Sequence, residues 1–225
     1  MASTEQDENV LEEIDLGDEC LPGDMEGAAE HFIAALTQGN GQLCDRERAQ
    51  SGLEPLLPPH YAGCAHNMLG KVQHMLAMRT GLFEEAVASF RSACICVPDQ
   101  PDVLNQLGVT LYLQGEFQQS CAAYDQCVAL LQRLQADDSQ AAGGPEGVAD
   151  VIVALATSAR FAADTEEEGL QDAILQYDRA LEVDPSHDQA FTERAALLSN
   201  VRYARVCTRA RRVACDRERQ RERET

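Results

Sequence analysis

The chain has 225 residues and a mass of 24.6 kDa, enough for one or two globular domains or one short array of repeats. Its formal net charge of −20 and pI near 4.5 argue against general affinity for nucleic acid or anionic membranes, which require a positive surface. No apolar run approaches the ~20 residues that span a bilayer, and the acidic start lacks the apolar stretch of a secretion signal.

Residues 1–22 form an acidic segment with room for a partial helix. Residues 5–30 carry eleven Asp and Glu, and no Lys or Arg precedes Arg46. Within 23–60, Gly23, Ala28, Phe32 and Ala35 have a spacing that returns further on. Residues 39–60, with Pro55, Pro58 and Pro59, read as linker. From Tyr61 to Val97 the spacing predicts a helical hairpin. Met68, Leu69, Val72, Met75 and Leu76 give its first helix an apolar side, and Pro98 and Pro101 end its second.

The next hairpin begins at Pro101. Val103, Leu104, Leu107 and Leu111 line one stripe with Gly108, where a missing side chain lets a neighbouring helix approach. Gly115 supplies a turn that requires positive φ, and residues 117–134 form the partner helix around Tyr124. Residues 135–147, with Gly143-Gly144-Pro145, read as an inserted loop. Residues 148–163 then predict a first helix, and Thr165-Glu-Glu-Glu168 predicts a capping box for the following one. Residues 188–200 look like a further first helix whose partner does not follow. Instead, residues 201–225 form an Arg-rich tail, with nine Arg against four acids from 202 onward.

One pattern joins these elements. Gly81, Ala86, Phe90 and Ala93 recur 34 residues later as Gly115, Ser120, Tyr124 and Cys127, small replacing small and aromatic replacing aromatic. Ala173, Tyr177, Ala180 and Pro185 repeat the spacing of Ala86, Phe90, Ala93 and Pro98. Leu69-Gly70 matches Leu107-Gly108, with about one extra helical turn in residues 71–80. A 34-residue period with L-G-x-x-[large], A-x-x-x-F and a closing Pro resembles the tetratricopeptide repeat family over residues 61–200. The match is degenerate, since no Trp occupies a first helix. The resemblance implies an all-α fold, a solenoid of αα-hairpins wound as a right-handed superhelix, acting as a non-catalytic scaffold. First helices would line a groove that binds a peptide or helix of another protein.

By helical phase, the groove residues are Asn67, Lys71 and His74 in one first helix, Asn105, Val109 and Tyr112 in the next, and Gln189 and Thr192 in the last. Asn105 is the leading candidate, because its amide can hold a peptide backbone as both donor and acceptor. The net negative charge favours basic partners, and only the Arg-rich tail offers nucleic acid a positive surface. One alternative is a co-chaperone that clamps the acidic C-termini of Hsp70 or Hsp90. That clamp needs convergent cations, and only Lys71 and Arg160 stand near suitable positions. Another alternative is the repeat arm of a larger or truncated enzyme such as a glycosyltransferase, motivated by the unfinished last hairpin.

No catalytic, metal or cofactor site is expected, nor a small-molecule substrate. His60, Cys64, His66 and His74 lack the paired spacing of a zinc site. The glycines at 143–147 lack the Lys-Ser/Thr of a phosphate loop. Nine cysteines without a CxxC behave as small buried hydrophobes and point to a reducing compartment, cytosol or nucleus.

Overall fold

The computed structural model describes residues 12–13, 15–17, 19, 24–37, 59–137 and 144–201. Among them all regular structure is helical, an all-α arrangement. The helices are α1 (Met25–Thr37), α2 (Pro59–Thr80), α3 (Glu84–Cys96), α4 (Pro101–Gln114), α5 (Phe117–Asp137), α6 (Gly144–Ala162) and α7 (Glu166–Val183), followed by α8 over 188–201. They divide into two units, one ending at Asp137 and one starting at Asp138. Most of the linker at 39–60 and nearly all of the Arg-rich tail lie outside the described residues. Both ends of the expected insertion at 135–147 are helical, since α5 runs through Asp137 and α6 starts at Gly144. Pro145 is compatible with that early start, because the first turn of a helix has no use for its missing N–H.

In the first unit each helix packs on the next, α1 on α2, α2 on α3, α3 on α4 and α4 on α5, and α2 also touches α4. Glycine–aromatic contacts fix the hairpins. A Cβ on Gly108 would lie 2.7 Å from the Tyr124 ring, and one on Gly70 would lie 2.8 Å from the Phe90 ring. The matched dipeptides Leu69-Gly70 and Leu107-Gly108 therefore do the same job, each opening a first helix to its partner's aromatic. The extra turn appears as length: α2 has 22 residues and α4 has 14. A third such contact went unread in the sequence. Gly17, preceded by Leu16 in a helical stretch, would place a Cβ 2.6 Å from the fully buried Phe32.

Phe32, Ala28 and Ala35 of α1 share a core with Ala62, Ala65, Leu69 and Val72 of α2. Phe90 and Ala93 of α3 share another with Val103, Leu107 and Leu111 of α4. Gly115 adopts φ +88° and ends α4 with paired bonds, its own N–H to Tyr112 O and that of Glu116 to Leu111 O. This is a Schellman closure, and it needs a residue without a left-handed penalty.

In the second unit α6 packs along α7, with Ile152, Leu155 and Ala156 buried on one helix and Ala173, Tyr177 and Ala180 on the other. The Thr165 hydroxyl accepts from Glu168 N–H at 3.3 Å and donates to the Glu168 carboxylate at 2.9 Å, capping α7. His187 holds the start of α8. Its Nδ1 accepts from Ala190 N–H, so its Nε2 carries the proton and donates to Asp150 of α6 at 3.0 Å.

Candidate functional site

Six of the eight expected groove residues lie in the first unit, and all six are half-buried. Their placement follows from helix periodicity. Asn67, Lys71 and His74 follow one stripe of α2 at i, i+4 and i+7, and Asn105, Val109 and Tyr112 follow one stripe of α4 at i, i+4 and i+7. Contact between α2 and α4 brings the two helices side by side.

Two polar bridges cross that seam. Lys71 Nζ stands 3.2 Å from Asp102 Oδ2. His74 Nδ1 stands 3.0 Å from the hydroxyl of Thr110, which is fully buried. The Thr110 hydroxyl gives its own proton to Gln106 O at 2.7 Å, so it must accept from His74. His74 is therefore the Nδ1–H tautomer and presents Nε2 as an acceptor. Burial lowers its pKa below the ordinary 6.5, which keeps the ring neutral at pH 7. Phe83 stacks obliquely against it.

The bridges change the chemistry expected of this surface. The charge of Lys71 is balanced by Asp102, so the strip is polar and nearly neutral rather than cationic. Asn67 Oδ1 is buried and lacks a hydrogen-bond partner among the described residues. Tyr112 packs edge-on against Phe117 with centroids 5.5 Å apart. Beyond His74 and Thr110 the strip turns apolar, with Met78 and Leu113 exposed at the C-terminal ends of α2 and α4. Gln189 and Thr192 are exposed on α8 of the second unit. Asp102 and Thr110 were missed in the sequence. Thr110 sits between Val109 and Leu111 and reads there as filler of an apolar helix.

Burial, aided by the charge of Asp102, pushes the Cys127 thiol up to about 11, and its sulfur contacts Pro101 O at 3.2 Å. Burial likewise raises Cys94. Both therefore stay protonated at neutral pH. Among the described residues no three His, Cys, Asp or Glu side chains converge as a metal site. No helix among them is long and apolar enough to cross a membrane.

A depression of about 360 Å³ opens between α3, α4 and α5, floored by Val87 and Leu111 and edged by Glu84 and Glu116. None of the expected groove residues lines it. Comparison with protein-family models and with curated proteins found no match to this chain.

Proposed function

We propose that the protein is a non-catalytic adaptor of tetratricopeptide type, a solenoid of helical hairpins that docks a peptide or helix of another protein across the α2/α4 strip. One observation carries the reading: the strip holds hydrogen-bonding groups whose capacity the fold leaves unused. Asn67 Oδ1 is buried without a donor, and the His74 tautomer leaves Nε2 as an acceptor. A buried acceptor without a donor costs about 1–3 kcal/mol, so Asn67, half-buried as a residue, gains by turning its amide outward to a ligand that supplies N–H groups. Partner backbone amides or basic side chains meet this need, and exposed Met78 and Leu113 offer an apolar contact at one end. The Asp102 carboxylate beside Lys71 disfavours the acidic-tail clamp, because it offsets the cation's charge and repels a second carboxylate.

The test is quantitative capture of partners from the native cell by the intact chain and by an Asn105→Ala/Tyr112→Ala variant. Selective loss of the same partners in the variant, with helix content unchanged, supports the strip. Equal recovery by both proteins refutes it. A parallel titration with a peptide ending in acidic residues should show no saturable binding that depends on Lys71.

A further inference from the structure

The depression between α3, α4 and α5 is built where the chain turns from α4 into α5. Glu84, Val87, Ala88 and Arg91 follow one stripe of α3 at i, i+3, i+4 and i+7. Across the hollow from that stripe stand Leu111 and Gln114 in the last turn of α4, and Glu116 and Gln119 at the start of α5. Gly115, at φ +88°, reverses the chain so that Gln114 and Glu116 edge the same space. Val87 and Leu111 are buried, whereas Glu84, Arg91, Gln114, Glu116 and Gln119 are exposed. The floor is therefore apolar and the rim polar.

The charges of the rim do not cancel one another. Arg91 donates to Gln119 Oε1, and Gln119 Nε2 donates to Glu116 Oε2 at 3.0 Å. The guanidinium is thus held by a neutral amide, and neither Glu84 nor Glu116 forms an ion pair among the described residues. Two carboxylates and one guanidinium leave one negative charge over.

We infer that this depression binds an arginine side chain of a partner polypeptide. Its volume of about 360 Å³ lies at the small end of ligand sites, a size suited to one long side chain and its flanking backbone. The stem of such a side chain can lie over Val87, Ala88 and Leu111 while its head stays at the wet, charged rim. Glu84 approaches from α3 and Glu116 from α5, and Gln114 brings a further amide oxygen. A planar guanidinium meets acceptors in more than one direction with its fixed fork of donors, whereas an ammonium is a compact and more strongly hydrated point charge. An acidic occupant would add to the unbalanced negative charge and be repelled. The site shares no residue with the α2/α4 strip and does not depend on it.

The probe is a capped single residue, N-acetyl-arginine N-methylamide, titrated at about 150 mM salt into the full chain with labelled Val and Leu methyl groups. One side chain binds weakly by itself, so the Val87 and Leu111 signals should move saturably in the millimolar range. Val128 and Val153, buried away from the depression, should stay still. Capped citrulline keeps the shape without the charge and should bind at least tenfold more weakly, and capped lysine several-fold more weakly. Glu84→Gln/Glu116→Gln should weaken arginine binding at least tenfold. Both glutamates also stand at helix starts, where negative charge is favoured, and a urea melt of the variant reports that effect apart from binding. Asn105→Ala/Tyr112→Ala should bind the probe as the parent does, so failure here leaves the strip standing. No saturable shift, as when the chain's own arginines already fill the hollow, overturns the proposal. So does citrulline or lysine binding as tightly as arginine, or a Gln variant that binds like the parent. Equal movement of all the methyl signals overturns it as well, because it marks diffuse attraction to a chain of net charge −20.

Discussion

Replacing Gly108 by Ala sets two effects against each other, and the geometry decides between them. In an exposed helix the change stabilises by about 0.8–1 kcal/mol through propensity alone. Here the added Cβ would lie 2.7 Å from Tyr124 Cε1 and 2.9 Å from both Cδ1 and Cζ. The ring cannot swing aside: Tyr124 is 3% exposed, and the Ser120 hydroxyl, donating to Gly108 O at 2.8 Å, pins the helices together at the same level. Overpacking of a filled core typically costs about 1–3 kcal/mol, so the net change should be a destabilisation of about 1 kcal/mol. The separating measurement is a double-mutant cycle with Tyr124→Leu, read by urea unfolding and by amide exchange in α4. In the Leu background the clash is gone, and Gly108→Ala should be neutral or stabilising. If Gly108→Ala stabilises the parent by its full propensity gain, or changes both backgrounds alike, the ring is not what makes glycine necessary.

Thr165→Ala removes the cap from α7 and should cost about 1 kcal/mol, seen as faster amide exchange in its first turn. Gly115→Ala forces a Cβ into φ +88° and should cost about 1–2 kcal/mol in a urea melt. Lys71→Met should leave the melting temperature nearly unchanged, because its ion pair is largely solvated and exposed pairs contribute little. His74 has a lowered pKa when folded, so between that value and 6.5 the unfolded chain binds more protons. Stability from this group is complete above pH 7 and falls on acidification through 6.5. The difference between parent and His74→Gln melts should shrink from pH 7 to 5, and a difference that does not vary with pH would contradict the burial of this ring.

The hairpins were legible because their determinants are local. Gly115 follows an apolar stripe and must turn, and Thr165 stands three residues before a glutamate and caps. The repeat spacing of small and aromatic residues marks where one helix lies against its partner, and Phe90, Tyr124 and Tyr177 are all buried. The N-terminal match was harder. Gly17, which meets Phe32, is hidden in an acidic segment whose charge masked the Leu-Gly signal, and Gly23, the counterpart of the turn glycines Gly81 and Gly115, lies outside the described residues. The sequence reads 144–147 as loop, although α6 starts there, because Gly144-Pro145 punctuates a chain equally well as a break or as a helix start.

The strip was legible only by half. Periodicity predicts which side chains share a face of α2 or of α4, but not which residue of one helix meets which residue of the other. Lys71 meets Asp102 across 31 positions and His74 meets Thr110 across 36, distances at which no local rule operates. The consequence for recognition is chemical. Read alone, Lys71 suggests a clamp for carboxylates, whereas paired with Asp102 it makes the strip nearly neutral. On the proposed reading, the large negative charge of the chain steers a basic partner toward the protein from a distance, and acceptors at Asn67 and His74 would distinguish one docked segment from another.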